Sequence, residues 1–491
     1  MEKYLALALF FVAFILGAGC SAGKTNAPAD GDLTEEKDET AIVDEAAKEE
    51  ETTPDADETM GDEIFTDEAG DTETDLPDED TAVPFGAVIL ADPPTVVESG
   101  VVTFSAQVTG GTPPFLFAWS FDGVAPDSAE EEPAPVAFPA PGDYAVALTV
   151  TDATNATAIA GTIFTVNPLE GNMHFYFGNL HSHSGASDGE GTPAEIMNWA
   201  KFDEGLDFYL MTDHAEQLSG GEWADIQFQT DLFNEPGVFA AMRGFEWSHP
   251  WNGHMCIYLT DDFTSAYNDI WISYIYDWID ERPAALAQFN HPGREDGVFN
   301  DLKIESKVID NMFAMETGNK STGNNDGEFI PYYIKALDNG WQLAPTSNQD
   351  NHSMKLTSHR SVFVAEELSR EMLIEAMYAR RFYSSDDPDI RVVFKHEEAW
   401  MGSHVTVTND SVRFSVKVMD NEPVLKVQLI TNKGAIAAEM TPEEGATTVL
   451  WYPEVTVPQS AYFFVKVISE EVFDDDGPEQ IALSAPIWIY R

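Results

Sequence analysis

The stretch Gly178-Asn-Leu-His181-Ser-His183-Ser-Gly-Ala-Ser-Asp188-Gly places two imidazoles and a carboxylate directly after an apolar run, His174 to Leu180, of strand-like composition. In an extended chain alternate side chains leave the same face, so His181 and His183 can both reach one ion. Further along, Thr212-Asp213-His214, Gly244-Phe-Glu246, Gly253-His254, Phe289-Asn-His291 and Gln349-Asp350-Asn-His352 each set a ligand-type residue after or within a short apolar segment. Imidazole nitrogen combined with carboxylate oxygen suits zinc, manganese or iron better than calcium, which prefers oxygen alone. A carboxylate such as Glu246 can bridge two cations through its two oxygens, and cations about 3.5 to 4 Å apart can activate a water and clamp the transition state of a hydrolysis.

Those residues need strand ends to converge. Residues 172–388 alternate strand-like runs with helical stretches such as Pro193 to Phe202, Trp271 to Asp280 and Glu371 to Arg381. That alternation predicts a parallel α/β architecture whose loops, after the strand C-termini, collect chemistry at one face. Residues 84–167 instead carry short strands, Val101 to Val108, Phe115 to Trp119, Tyr144 to Thr151 and Thr162 to Val166, separated by Gly/Pro turns. This is β-sandwich patterning, with Trp119 as a core residue. From 389 to 491 the pattern returns to β, through Arg391 to Phe394, Val405 to Val407, Val412 to Val418, Val424 to Ile430, Ala461 to Ile468 and Ala485 to Tyr490, which predicts a C-terminal sandwich.

The formal charge is −61, partly concentrated in Asp30 to Asp80, where 24 acids face Lys37 and Lys48. Residues 21–83 therefore read as a disordered acidic linker. The remainder stays near about −40, which repels bare polyanions and argues against nucleic acid as a partner. Residues 1–20 read as an export signal: Lys3, an apolar run from Tyr4 to Ala18 that is short for a membrane span, then Gly17-Ala-Gly19-Cys20. The segment resembles a bacterial lipoprotein signal, with Gly17 in place of the usual leucine. The resemblance implies a lipidated Cys20, membrane attachment and an outer-membrane location if the source is Gram-negative. The other cysteine, Cys256, reads as a small buried thiol two residues from His254.

Two further resemblances concern the folded parts. Gly110-Gly-Thr-Pro-Pro-Phe-Leu-Phe-Ala-Trp119-Ser-Phe-Asp-Gly123 and Pro141-Gly-Asp-Tyr144-Ala-Val-Ala-Leu-Thr-Val-Thr-Asp152 resemble the PKD family of immunoglobulin-like modules, implying a spacer or a module that contacts glycan or protein. The ordered set His181-Ser-His183 with Ser187-Asp188-Gly, Thr212-Asp-His214, Gly244-Phe-Glu246, Gly253-His254, Asn290-His291-Pro and Asp350-Asn-His352 resembles the PHP (polymerase and histidinol phosphatase) metallohydrolases, most closely their CehA/McbA-type branch. That resemblance implies a distorted (β/α)7 barrel holding two or three divalent metal ions (Zn, Mn or Fe). His181, His183, Glu246 and Asp350 would hold the first; Glu246, His254 and His291 the second; Asp188, His214 and His352 the third. It further implies attack of a metal-bound hydroxide on a phosphoester, ester, amide or carbamate of a small molecule, with Glu246 and Asp350 among the catalytic residues.

Around these ligands the sequence offers supporting candidates. Asp213 either orients the His214 imidazole or serves as a turn acid. Arg294, Arg243, Lys320 and Arg360 are the cations that could grip an anion, Arg294 foremost because it follows His291-Pro-Gly. Glu316 reads as a turn residue or a site-lining one. His174, His249, His359, His396 and His404 read as packing or surface histidines, His249 being nearest the substrate. A different class of function also fits: a cell-surface binding protein whose two sandwiches engage polysaccharide or protein, with the barrel as a metal-stabilised scaffold.

Overall fold

The computed structural model describes residues 83–294, 297–319, 326–470 and 479–491. The lipoprotein-type signal with Cys20, the acidic linker up to residue 82 and Lys320 lie outside the described residues. What is described is rich in sheet, with its α-helices lying between Pro193 and Ala379.

The first element group is β1 (Gly86–Asp92), β2 (Val96–Val97), β3 (Val101–Thr109), β4 (Leu116–Ser120), β5 (Val136–Ala137), β6 (Gly142–Thr151) and β7 (Thr157–Asn167). They form two sheets, β1-β3-β5 and β2-β7-β6-β4. The alternation read from the sequence is visible in β3 and β6, whose inward residues Val102, Phe104, Val146, Leu148 and Val150 are buried. Trp119 sits in that core, stacked on Phe121, with its indole N–H donated to Glu130 O at 3.1 Å.

Next come β8 (His174–Asn179), β9 (Phe208–Met211), β10 (Ala240–His249), β11 (Gly253–Tyr258), β12 (Leu286–Asn290), β13 (Met312–Asn319), β14 (Ala344–Asn348), β15 (Arg360–Ala365) and β16 (Phe382–Ser385). Their order in the sheet is β14-β13-β12-β11-β10-β9-β8-β15-β16. β8, β9 and β10 pair in parallel, as do β12, β13 and β14. The helices Pro193–Phe202 and Gly220–Phe233 return the chain between the first three strands, each opened by a capping box, Thr192 with Glu195 and Ser219 with Glu222.

The expectation of a parallel sheet fails at β15, which runs antiparallel to β8 and β16, and at β11. Only Pro250, Trp251 and Asn252 separate it from β10, too short a link for a crossover, so β11 runs antiparallel to both β10 and β12. The reversal matters for the site, because the first residues of β11 then lie beside the last residues of its neighbours, and Ser248 faces His254 while His254 faces Asn290.

The boundary expected near residue 388 is bridged by hydrogen bonds. β16 pairs with the strand Glu479–Ser484, and the sheet continues through Ala461–Glu470, Val424–Thr431 and Ala435–Met440. One apolar core runs accordingly from Leu180 to Ile489. A second sheet of Ala399–Trp400, Arg391–His396, Ser415–Met419 and Thr448–Trp451 covers it. The first sandwich is tied to this region by Lys417, whose Nζ lies 2.8 Å from the Glu98 carboxylate and 3.0 Å from that of Glu170. Tyr452 adds a hydrogen bond to Glu98 O at 2.9 Å.

Lys417 and Glu98 are both nearly sealed from solvent, so removing the ammonium strands a buried carboxylate. Lys417→Ala is expected to cost about 3 kcal/mol in a denaturant titration. Lys335→Ala, which removes the exposed pair with Asp301, is expected to cost under about 1 kcal/mol. Equal losses would refute the role assigned to Lys417.

Candidate metal centre

β8 ends at Asn179, and beyond a bend at Leu180 the chain pairs again through a parallel bridge between Ser182 and Asn351. Ser182 turns its hydroxyl away to Leu210 O at 2.9 Å, while its backbone N–H donates to the Thr212 hydroxyl at 3.0 Å. The His183 N–H donates to Asn351 O at 3.0 Å. The flanking imidazoles therefore share the opposite face, with their Nε2 atoms 3.2 Å apart.

Glu246 of β10 reaches the same point and is 1 % exposed. Its Oε1 lies 3.2 Å from His181 Nε2, 3.3 Å from His254 Nδ1 and 3.6 Å from His291 Nε2. Its Oε2 lies 2.8 Å from His214 Nδ1 and 3.7 Å from His183 Nε2. Each carboxylate oxygen thus faces a different set of rings. Asn290 Nδ2 and the Ser248 hydroxyl, at 2.8 and 3.1 Å, donate to Oε1 and Oε2 and hold the plane of the carboxylate.

Asp350 completes the arrangement after β14. Its Oδ1 is 3.0 Å from His183 Nε2 and 3.4 Å from His181 Nε2, and its Oδ2 accepts from Arg294 Nη2 at 3.3 Å. Asp188 stands at the solvent side, 45 % exposed, with Oδ1 3.3 Å from His352 Nε2 and Oδ2 3.6 Å from His214 Nε2. The structure therefore brings all nine expected ligands together. Their ligand atoms form four groups, each within 4.8 Å: His183, Asp188, His214 and His352; His181, His291 and Asp350; His181, His183 and Glu246; Glu246, His254 and His291.

The donor set fits divalent ions. His254 Nδ1 and His291 Nε2 are buried, point at Glu246 and make no hydrogen bond, an arrangement costly without a cation and natural with one. Backbone geometry adds to this, since His291 and Asp350 have φ of 28° and 44°. Left-handed backbone at a residue other than glycine is strained and gathers at functional sites.

Glu316 lies in β13, so the turn reading is corrected. It is fully buried, with Oε1 2.9 Å from His181 Nδ1 and 3.0 Å from Asn348 Nδ2, and Oε2 accepting from the His291 N–H at 2.7 Å and from Asn319 Nδ2 at 2.9 Å. By engaging His181 Nδ1 it directs Nε2 towards the cluster, the usual role of a carboxylate behind a metal-binding imidazole. Asp213 does not reach an imidazole. It accepts from the Ser184 N–H at 2.8 Å and from the Ser187 hydroxyl at 2.6 Å, bracing the loop that carries Asp188. His214 is steered instead by the Ser248 hydroxyl, 2.5 Å from Nδ1. Ser248 follows Glu246 by two residues on a strand, so period-two spacing could have found it.

Of the four cations, Arg294 alone among the described residues is at the centre. Arg243 stacks on Trp223 at 3.7 Å, and Arg360 is buried against Glu204 at 3.0 Å. Both are occupied structurally. His249 packs on Trp247 and accepts the Trp251 and Asn252 N–H groups. Together with His254, His291, Arg294 and Phe299 it lines a cleft beside the cluster. Cys256 belongs to none of the ligand groups; burial pushes its thiol up, and its sulfur accepts from Asn290 Nδ2 at 3.2 Å.

No protein-family model matches the chain, and no curated protein matches it. Among solved structures, a two-domain protein of Bacteroides vulgatus containing a predicted PHP-like metal-dependent phosphoesterase is similar over 63% of this chain and 94% of that one, at 16% identity and a TM-score of 0.37. The three N-terminal domains of the outer capsid protein Hoc of bacteriophage RB49 are similar over 83% and 99%, at 9% identity and a TM-score of 0.17. Neither likeness is strong enough to support a statement about this chain.

Burial disfavours a charged ring at His214, but the bond to Glu246 and the nearby Asp188 outweigh it and push the imidazole up to about 9. Below that pH an incoming cation must displace a proton. Apparent affinity for zinc should rise with pH towards about 9, by about tenfold per unit for each proton displaced. Chelator-competition titrations at two pH values checks this, and equal affinities would remove His214 from the binding set.

Proposed function

We propose that this protein is an exported, metal-dependent hydrolase of the PHP type that acts on a small-molecule phosphoester or a related ester, amide or carbamate. The observation that carries the reading is the position of Glu246, whose two oxygens address separate groups of imidazoles, the arrangement that lets one carboxylate span two cations. His181, His183, Glu246 and Asp350 would hold one ion, Glu246, His254 and His291 a second, and Asp188, His214 and His352 a third. Such ions, when bound, supply Lewis acidity and lower the pKa of water towards neutrality.

The chain's own part is preorganisation. Glu316 holds His181, Asn290 and Ser248 hold Glu246, and Asp213 holds the loop bearing Asp188. Arg294 stands at the rim, 40 % exposed, placed to pair with an anionic substrate group. The contact between Ser182 and Asn351 brings the ends of β8 and β14 together, which supports closure of seven strands into a barrel. The lipoprotein-like residues 1–20 support export and membrane attachment through Cys20; the PKD-like module is read as a spacer.

Elemental mass spectrometry on the purified protein, beside a Glu246→Ala/Asp350→Ala variant, tests the centre. Two or three equivalents of zinc, manganese or iron are expected, lost in the variant. No metal retained, and none taken up on adding those ions, would sink the hydrolase reading in favour of a binding role. Arg294→Ala then separates the substrate classes: a phosphoesterase should lose about 10²-fold or more in kcat/KM, and an amidase or esterase should scarcely change.

A further inference from the structure

A second cluster of ligand-type side chains lies away from the histidines, where the chain leaves β16. The loop Asp386-Asp387-Pro388-Asp389 meets the loop Asp420-Asn421-Glu422, and Asp387, Asp389, Asp420 and Glu422 each offer an oxygen within 4.8 Å of the others. Among the described residues no lysine, arginine or histidine forms an ion pair with any of the four. Asp387 is fully buried; its Oδ1 accepts the Asp389 and Ile390 N–H groups at 2.9 and 3.0 Å, and its Oδ2 the Ser469 hydroxyl at 3.3 Å.

The other carboxylates are only half satisfied. Asp389 Oδ2 accepts from Asn421 Nδ2 at 2.6 Å and Asp420 Oδ1 from the Glu422 N–H at 3.3 Å, while Asp389 Oδ1 and Asp420 Oδ2 are sealed from solvent with no donor.

An independent side chain points the same way. Gln480 is 1 % exposed and sits opposite Ser469 in the antiparallel pair, and directly opposed residues project from one face. Ser469 uses that face to reach Asp387. The Gln480 carboxamide lies against the same loop, donating Nε2 to Asp386 O at 2.9 Å and leaving Oε1 with no donor. Asp389 Oδ1, Asp420 Oδ2 and Gln480 Oε1 are thus three buried oxygens without donors on these adjoining segments, which a hard cation would satisfy. The donors are oxygen throughout, as calcium prefers, in contrast to the imidazole-rich centre.

We propose that Asp387, Asp389, Asp420, Glu422 and Gln480 form a calcium site that pins the end of β16 to the C-terminal sheets. It shares no residue with the histidine centre. Burial, with Asp420 close by, pushes Asp387 up to about 6, and burial with Glu422 close by does the same to Asp420, the behaviour of buried carboxylates crowded together.

The test is calorimetric titration of the full chain with calcium chloride after treatment with a calcium chelator, with thermal unfolding followed in parallel. One calcium should bind and raise Tm by several degrees. Asp389→Asn/Asp420→Asn should weaken binding at least about 100-fold and, with the repulsion relieved, melt at or above the calcium-free wild type. Glu422→Gln, a milder change, should weaken binding about tenfold and serves if the double variant does not fold. No uptake by the wild type at about 10 mM calcium, or wild-type affinity in either variant, would overturn the site. Zinc and manganese contents of the same samples report on the histidine centre separately, so either site can fail alone.

Discussion

The site depends on a single buried carboxylate. Glu246 stands in a strand and is 1 % exposed, and an ionised group sealed from water is tolerated only if other charges and donors compensate for the lost solvent. Five imidazoles, an amide and a hydroxyl converge on its two oxygens. Burial alone would raise its pKa, but His181 and His254, foremost among the neighbours, outweigh burial and hold it well below the usual carboxylate range. Asp350 is kept ionised in the same way, chiefly by His181 and His183.

Strand direction makes the convergence possible. A parallel sheet presents its C-terminal ends along one edge, which places His181, Glu246, His291 and Asp350 near each other although they are far apart in sequence. β11 contributes from its beginning instead of its end, because it is reversed, and so His254 joins the same edge. A crossover helix between β10 and β11 would have sent His254 to the opposite side of the sheet. The surrounding sheet is then extended by β16 and the C-terminal strands, so the platform under the site and the last hundred residues share one core.

Much of this was legible before any coordinates, and where it was not the reason is physical. Period-two alternation located β3, β4, β6 and part of β7 in the first sandwich, though not β1, and put Trp119 in its core, because burial on one face leaves a mark on every second residue. The helix Pro193–Phe202 was readable to its ends, since Pro193 and the Thr192–Glu195 box announce its start. The helix Gly220–Phe233 escaped notice because its apolar residues are not gathered on one face. Glu316 was left between a turn acid and a site-lining one because nothing local distinguishes a carboxylate in a strand from one beside it. Asp213 was left between orienting its neighbour His214 and serving as a turn acid; its partners are Ser184 and Ser187, brought in from another strand end.

By itself the sequence determined the chemistry available: nitrogen and oxygen donors, spaced so that each follows or closes a short apolar run. Residue type and local periodicity carry that information because donor identity is a property of one side chain and strand or helix of its immediate neighbours. Only the tertiary structure decided which oxygen of Glu246 faces which ring, and that Glu316 and not Asp213 stands behind an imidazole. Those outcomes rest on contacts between residues scores of positions apart, set by how the strands pack side by side, and no local pattern encodes them.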